Sequence, residues 1–364
     1  MQKELQIDGH LIGEGHPTFI IAEMSANHNM DYNRAVEILH AAAKAGADAV
    51  KIQTYTADTI TIDSDKPWFR ITQGTLWDGV TLHQLYETAY TPWEWHADLQ
   101  AEAKKLGLSF FSSPFDLSSV DYLENLDVPC YKIASFELND IPMLRKIAKL
   151  QKPIIMATGV AHKEDIELAL QTCKEEGNEQ VVLLKCTSAY PAPYHAVNLK
   201  MVPHMAEEFD CITGLSDHTM GSSVAIGAVA MGAHVIEKHL TLRRADGGAD
   251  SAFSMEPEEF REMCEGIRHV EEAIGCVTYE LSEKAAAERE HSRSLFAVTD
   301  IKAGELFTPE NCRSIRPGYG LHTKYYEEIL GKKAACDIEK GTPMSWKLVE
   351  GAQGRIDETP AVRK

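Results

Sequence analysis

The sequence predicts a (β/α)8 TIM barrel followed by a small β-rich domain. Between residues 17 and 275, about eight short apolar runs alternate with amphipathic stretches; almost every run ends in polar residues, and the alternation stops after Gly275. Strands apolar enough to be covered on both faces, each followed by a helix, are typical of a parallel barrel. An open, doubly wound sheet is the alternative, although no glycine-rich dinucleotide-binding loop supports it.

The eight apolar runs have the length and composition of buried strands. They span residues 18–23, 49–53, 109–113, 130–135, 153–158, 181–187, 212–217 and 235–239. In the stretches between and after them, apolar residues recur at the i, i+3, i+4, i+7 spacing of amphipathic helices, as in 35–42 and 260–274. The chain therefore reads as repeated strand–helix units.

The charge and cysteine content exclude several classes of protein. The chain has 36 basic and 55 acidic residues, a net charge of −19, and such a field repels nucleic acid and anionic membranes. Its eight cysteines include no C-x-x-C pair, which disfavours a zinc cluster or disulfide scaffold. No apolar run approaches the roughly 18 residues that cross a bilayer, and the start has no export pattern. We therefore expect a cytoplasmic protein without nucleic-acid or membrane partners.

The carboxyl ends of the predicted strands carry an unusual number of polar residues. They are Glu23, Lys51, Gln53, Ser112, Ser113, Lys132, Ser135, Thr158, Cys186, Thr187, Ser188, Ser216, Asp217, His218, Glu237, Lys238 and His239. One such residue could cap the following helix, but a whole ring of them is not explained that way. Because the carboxyl ends of barrel strands carry the active site, this ring predicts an enzyme.

Two histidines, His218 and His239, end successive strands and are candidate ligands of a divalent metal ion. Two protein ligands leave open positions for water and substrate, as Lewis-acid catalysis requires. The alternative is that each histidine caps a helix or completes a hydrogen-bond network.

Two lysines, Lys51 and Lys132, point from strand ends into the same mouth. Their ammonium groups would form a cradle for phosphate or carboxylate together with nearby hydroxyls. Those hydroxyls belong to Ser113, Ser135 and Ser216. The alternative is that the lysines only neutralise Glu23 and Glu137. Either glutamate is also a candidate general base.

After the barrel, residues 279–293 resemble a linker or a solvated helix, and a β-rich domain follows at 294–351. The barrel domain is then 1–278. The segments 300–304 and 337–341 echo each other, which suggests two related turn units. Residues 352–364 have the composition of a disordered tail.

Six ordered motifs resemble the sialic acid synthase family, whose members condense phosphoenolpyruvate with an amino sugar to make nonulosonic acids. The motifs are Ile21-Ala22-Glu23, residues 45–53, residues 131–137, Cys186-Thr187-x-x-Tyr190-Pro191, residues 215–219 and Glu237-Lys238-His239. Near the end of the chain, residues 316–320 resemble a loop of that family's antifreeze-like (SAF-type) domain.

The resemblance implies a role for each matching residue. His218 and His239 would hold a divalent ion, usually Mn2+, with Mg2+ or Co2+ as alternatives. Phosphoenolpyruvate would be bound by Lys51, Ser113, Lys132, Ser135, Ser188 and Ser216. Catalytic groups would be Glu23, Lys51, Glu137 and Asp250, and the sugar would meet Gln53, Tyr190, Asp250 and Arg316. Arg316 would come from the partner chain of a domain-swapped homodimer. Ala157 departs from the family, which often carries a hydroxyl there for the phosphate.

Further runs at 77–82, 91–95, 185–193 and 246–254 resemble the pseudaminic acid synthases within this family. The expected substrate is then 2,4-diacetamido-2,4,6-trideoxy-L-altrose, with Phe253 and Trp93 as apolar contacts. The alternatives are an N-acetylneuraminic or legionaminic acid synthase with the same mechanism, a metal-dependent aldolase that uses pyruvate, and a non-catalytic sugar-binding protein.

Overall fold

The strands that form the barrel are parallel and close on themselves, as the sequence predicts. The computed structural model describes residues 1–361 except 73, 75, 76 and 353. An antiparallel hairpin, β1 Glu4–Ile7 and β2 His10–Gly13, precedes the barrel. The barrel strands are β3 Phe19–Glu23, β4 Ala49–Thr54, β5 Ser109–Pro114, β6 Tyr131–Ile133, β7 Ile154–Ala157, β8 Val181–Cys186, β9 Ile212–Asp217 and β10 Val235–His239. They pair in the order β3-β4-β5-β6-β7-β8-β9-β10, and β10 pairs with β3 to close the barrel.

Helices follow the barrel strands. The helices between residues 32 and 274 are α1 Tyr32–Ala45, α2 Ala57–Ile60, α3 Leu82–Ala89, α4 His96–Lys105, α5 Leu117–Asn125, α6 Ile141–Ala148, α7 Lys163–Glu175, α8 Met201–Glu208, α9 Ser223–Ala230 and α10 Pro257–Ile274. Their ends follow local chemistry. In α1, the Asp31 side chain accepts hydrogen bonds from the first amides, and Gly46 ends the helix in the left-handed conformation (φ 92°).

Strand β6 is shorter than the predicted run 130–135. It ends at Ile133 because the chain turns into a 3-10 helix, Ser135–Glu137. The turn carries Ser135 and Glu137 around the rim, whereas Lys132 stays within the strand.

The strand register brings polar residues of neighbouring strands side by side. Glu23 lies opposite both Lys51 and His239, and Ser216 lies opposite Glu237. Because side chains alternate between the two faces of a strand, Glu237 and His239 share one face and Lys238 has the other.

The chain separates into two compact units, Met1–Gly275 and Cys276–Lys364. The second contains α11 Glu283–Glu288, the antiparallel pair β11 Ser294–Ala297 and β12 Cys312–Ile315, and α12 Tyr326–Ile329. It has its own apolar cluster, which includes the buried Trp346.

The two sequence echoes pair with each other in this second unit. Ile301 and Ile338 exchange backbone hydrogen bonds of 2.8 Å in each direction. The Asp300 carboxylate accepts from the Lys340 amide, and the Asp337 carboxylate accepts from the Ala303 amide. Each aspartate thus satisfies the turn of the other copy, which explains why the sequence repeats.

Where the sequence favoured a disordered tail, the described residues are hydrogen-bonded to the second unit. The Trp346 amide donates to Asp357, the His322 amide donates to the Glu358 carbonyl, and the Ala361 amide donates to the Gly318 carbonyl. Residues 353 and 362–364 of this predicted tail lie outside the described part. No helix in the described ranges has the length and apolar character needed to span a membrane.

Candidate active site

A row of buried charges crosses the carboxyl end of the barrel. Lys51 Nζ lies 2.5 Å from the Glu23 carboxylate and 4.0 Å from that of Glu237. Lys132 Nζ lies 3.6 Å from the other oxygen of Glu237. All four side chains are at most 5% exposed. Buried charges persist only when paired, so the row Glu23–Lys51–Glu237–Lys132 is mutually dependent.

The alternating signs of the row set its protonation. Burial opposes the charge of Glu237, but Lys132 and Lys51 outweigh it and lower the pKa of this carboxyl. Burial lowers the pKa of Lys132. At Lys51 burial acts in the same direction, but Glu23 and Glu237 overcome it and raise the pKa. Burial raises the pKa of Glu23, against a lowering by Lys51. The row therefore brings two carboxyl groups and two lysine side chains to the place where the sequence predicts that an anion binds.

Glu137 stands apart from these ion pairs. One of its oxygens, Oε2, is buried and has no hydrogen-bond partner in the described part of the chain. Burial raises the pKa of this carboxyl to about 7, against a smaller lowering by Lys132. The sequence offered Glu23 and Glu137 equally as general base. Within the described part of the chain, Glu23 is the one of the two that is held in an ion pair.

Hydroxyl groups surround Gly159 beside the row. The Gly159 amide donates a 3.1 Å hydrogen bond to Ser135 Oγ, and Ser188 Oγ is buried without a partner among the described residues. A Cβ at Gly159 would lie 2.2 Å from Ser188 Oγ and 2.8 Å from Ser135 Oγ. The backbone therefore approaches these hydroxyls in a way that only glycine permits.

The remaining predicted phosphoenolpyruvate ligands are bonded to the charged row. Lys51 Nζ donates to Ser113 Oγ at 3.2 Å, and Ser216 Oγ donates to Glu237 at 3.1 Å. Ala157, at the end of β7, supplies no hydroxyl, so the donors near Gly159 come from neighbouring strands.

His218 and His239 come together as predicted, with ring centroids 5.2 Å apart. Nδ1 of His218 lies 3.1 Å from the Thr187 carbonyl, which leaves the other ring nitrogen available. Nδ1 of His239 is buried with no partner among the described residues, and burial lowers the pKa of this ring far below its usual range. Burial opposes the charge of His218, but its contact with Cys186 raises the pKa of that ring. A buried imidazole with an unsatisfied nitrogen, His239, beside a second imidazole fits a divalent metal ion.

No three His, Cys, Asp or Glu side chains converge on such a point within the described ranges. The metal site of two histidines stays a prediction. Cys186 lies beside this pair, with Sγ 3.8 Å from His218 Nδ1. Although burial opposes it, the contact with His218 lowers the pKa of the Cys186 thiol to about 7.

Asp250 and Gln53 meet through a serine that sequence reasoning missed. Ser25 Oγ donates to the Asp250 carboxylate and accepts a 3.0 Å hydrogen bond from Gln53 Nε2. Gln53 Nε2 also donates to Glu23 at 3.0 Å. Ser25 has a φ of 46°, and such strain in a non-glycine residue is typical of functional sites. Burial raises the pKa of Asp250.

Aromatic rings cover the two histidines. Tyr190 lies 4.6 Å from His218, and Phe253 lies 4.9 Å from His239, both between ring centroids. Trp77 contacts Tyr190 at 5.8 Å. Trp93, expected at the sugar together with Phe253, packs on Tyr122, and its indole N–H donates to the Tyr55 carbonyl.

Arg316 lies in the second unit, exposed in the loop after β12. The Asp217–Lys238 pair lies on the outer face of its strands, with 2.5 Å between Lys238 Nζ and Asp217. It joins β9 to β10 and does not face the metal candidates.

The sequence assigned no role in the site to Glu237, although it lies in the ring of polar strand ends, or to Trp77. The signal for Glu237 was present in the sequence, because it is two residues before His239 and so shares its strand face. Nothing local to Trp77 indicates that its ring reaches Tyr190.

Comparison with known proteins places most of the chain among sugar-acid enzymes. The NeuB family model matches residues 38–279, and the SAF domain model matches residues 292–350. A pseudaminic acid synthase of Campylobacter jejuni is 48% identical over 89% of this chain and 94% of its own length. An N,N'-diacetyllegionaminic acid synthase of the same species is 39% identical over 89% of this chain and 97% of its own. A solved structure of a Bacillus subtilis spore coat polysaccharide biosynthesis protein is similar with a TM-score of 0.66 and 31% identity, covering 95% of this chain and 99% of that one.

Proposed function

This chain belongs to the NeuB family, and we propose that it condenses phosphoenolpyruvate with 2,4-diacetamido-2,4,6-trideoxy-L-altrose and water to give pseudaminic acid and phosphate. The observation that carries the proposal is its 48% identity to a pseudaminic acid synthase, against 39% to a legionaminic acid synthase of the same species. The reaction makes the enzyme a transferase that forms a carbon–carbon bond.

The charged row supports binding of phosphoenolpyruvate. The carboxylate and phosphate of phosphoenolpyruvate meet the ammonium groups of Lys51 and Lys132. Further hydrogen-bond partners are Ser113, Ser135, Ser188 and Ser216. The unpartnered Ser188 hydroxyl supports this arrangement, because a buried polar group without a partner is costly unless a ligand satisfies it. These contacts hold C3 of phosphoenolpyruvate towards the aldehyde carbon that it attacks.

His218 and His239 would hold a divalent ion, Mn2+ foremost, with Mg2+ or Co2+ as alternatives. When bound, the ion supplies Lewis-acid polarisation of the open-chain sugar's aldehyde oxygen. Tyr190 and Phe253 pack against the two rings and limit the access of water to them. Gln53 and Asp250 are placed to bind sugar hydroxyls or amides.

Water must then add at C2 of the former phosphoenolpyruvate, after which the C2–O bond to phosphate breaks. We assign the proton transfer from this water to Glu137. Its pKa of about 7 suits a base at neutral pH, and its Oε2 is free of the ion pairing that occupies Glu23. Glu23 instead keeps Lys51 charged and oriented.

The second unit supports the proposal of a domain-swapped homodimer, in which Arg316 of one chain reaches the sugar site of the other. The support is the SAF domain match and the family resemblance of the loop that carries Arg316. Its exposed guanidinium has no hydrogen bond or ion pair within the described residues.

We also place the enzyme in the cytoplasm. All eight cysteines lie in the described part of the chain and none forms a disulfide, which suits a reducing compartment.

In the direct test, the purified protein is incubated with phosphoenolpyruvate, Mn2+ and a panel of amino sugars, and the products are identified by mass spectrometry. We expect release of phosphate with a nine-carbon diacetamido acid from the altrose derivative. Equal or better turnover of N-acetylmannosamine would exclude the assigned sugar, and phosphate-free condensation with pyruvate would indicate an aldolase.

A further inference from the structure

We propose that Trp77 is a specificity-determining residue, the outer member of an aromatic wall that selects the sugar by its methyl groups. The wall consists of Trp77, Tyr190 and Phe253. The inference rests on the proposed function for the identity of the sugar, and it adds the surface that recognises it.

The three rings form a continuous chain above the metal candidates. Trp77 meets Tyr190 at 5.8 Å between centroids, and Tyr190 meets Phe253 at 5.1 Å. Tyr190 and Phe253 in turn contact His218 and His239 at 4.6 and 4.9 Å. A sugar whose aldehyde lies at the histidines therefore extends along these rings.

The wall differs in chemistry from the charged row of Glu23, Lys51, Glu237 and Lys132. The row offers ammonium groups and carboxylates, whereas the wall offers ring faces and one phenol. The two substrates differ in the same way, since phosphoenolpyruvate is a small anion and the sugar is neutral. Binding sites commonly combine an apolar surface with a few placed polar groups.

Trp77 is held in place at this position. Its indole N–H donates a 3.2 Å hydrogen bond to the Ala249 carbonyl, next to Asp250. Asp250 is itself anchored by Ser25. Phe253 is only 2% exposed, whereas Trp77 is half-buried.

The proposed sugar suits such a wall better than the competing one. It carries two acetamido methyl groups and a C6 methyl, whereas N-acetylmannosamine carries one acetamido methyl and a C6 hydroxymethyl. Each methyl packed on an aromatic face gains contact area. A hydroxymethyl at the same place loses water without gaining a hydrogen bond. One such group changes kcat/KM by roughly 10- to 200-fold.

The experiment measures kcat/KM for both sugars, and KM for phosphoenolpyruvate, in wild type, Trp77→Ala, Trp77→Phe and Trp68→Ala. We expect Trp77→Ala to reduce the preference for the diacetamido sugar about tenfold or more, with KM for phosphoenolpyruvate unchanged. Trp77→Phe keeps an aromatic face without the N–H donor and should retain most of the preference. Trp68 is 73% exposed, so Trp68→Ala controls for the loss of a tryptophan nearby.

Three results would overturn the inference. The first is that kcat/KM for both sugars is unchanged in Trp77→Ala. The second is that kcat/KM falls equally for both sugars, and the third is that Trp77→Phe loses as much of the preference as Trp77→Ala. The second and third results would mean that Trp77 only holds the loop of Ala249 in place. Failure of the proposed function is separate: there the wild type itself prefers N-acetylmannosamine. The wall then stands if Trp77→Ala still changes the ratio between the two sugars, and falls if it does not.

Discussion

Removing the charge of Glu137 should abolish turnover and at the same time stabilise the protein at alkaline pH. Burial raises the pKa of this carboxyl from 4.5 to about 7. The change corresponds to roughly 3 kcal/mol, because each pKa unit is worth about 1.4 kcal/mol. The ionised form that catalysis needs is therefore the form that destabilises the fold.

The sign of both effects follows from the raised pKa. A general base must be ionised, so kcat/KM, which reports the free enzyme, should fall as pH falls through about 7 and reach about a tenth of its plateau one pH unit below. The stability effect arises because the Glu137 carboxyl keeps its proton up to about pH 7 in the folded state, whereas in the unfolded chain it loses the proton near pH 4.5. Stability from this group is thus full below pH 4.5 and is lost as pH rises through 7.

The assay is phosphate release at subsaturating substrate concentrations, which gives kcat/KM between pH 5.5 and 9, paired with denaturant unfolding at pH 5 and pH 8. Glu137→Gln should be inactive. Its free energy of unfolding should exceed that of the wild type by more at pH 8 than at pH 5, with up to about 3 kcal/mol between the two differences. Glu207→Gln, at an exposed position of α8, is the matched control and should change neither. A flat wild-type profile from pH 6 to 8, or wild-type turnover by Glu137→Gln, would refute the assignment.

Three further outcomes are expected. His218→Ala or His239→Ala should abolish turnover and Mn2+ binding with little loss of fold, and full activity of either variant in EDTA would contradict the metal assignment. Gly159→Ala places a methyl 2.2 Å from one serine hydroxyl and 2.8 Å from another, so these must rotate away. KM for phosphoenolpyruvate should rise about 10- to 100-fold, as for loss of charge-assisted hydrogen bonds, while the melting temperature stays close to wild type. Mixing Arg316→Ala with Lys132→Ala chains should restore activity if sites are shared; absence of recovery despite demonstrated subunit exchange would argue against the swapped dimer.

Much of the site could be predicted because barrel strands obey simple periodicity. The alternation of apolar runs with helices predicts the fold, and the fold places every strand's carboxyl end at one rim. His218 and His239 could therefore be paired from sequence, and they do lie in contact. The same alternation would have added Glu237, since it shares the strand face of His239.

The roles within that ring depend on distances that no local pattern contains. Glu23 and Glu137 both follow strand ends, but Lys51 lies 2.5 Å from Glu23, and Lys132 pairs with Glu237. The sequence equally allowed Lys132 to neutralise Glu137. Only the packed barrel leaves Glu137 Oε2 buried without a hydrogen-bond partner among the described residues, and that burial is what raises its pKa.

The sequence by itself determined the barrel, the ring of polar strand ends and the candidate metal ligands, because these depend on spacing along one strand or helix. Tertiary structure alone decided that Trp77, and not Trp93, meets Tyr190. It also decided which carboxylate is paired. Both outcomes depend on contacts between loops and strands far apart in the chain, where position is set by packing in three dimensions and not by the period of a helix or a strand.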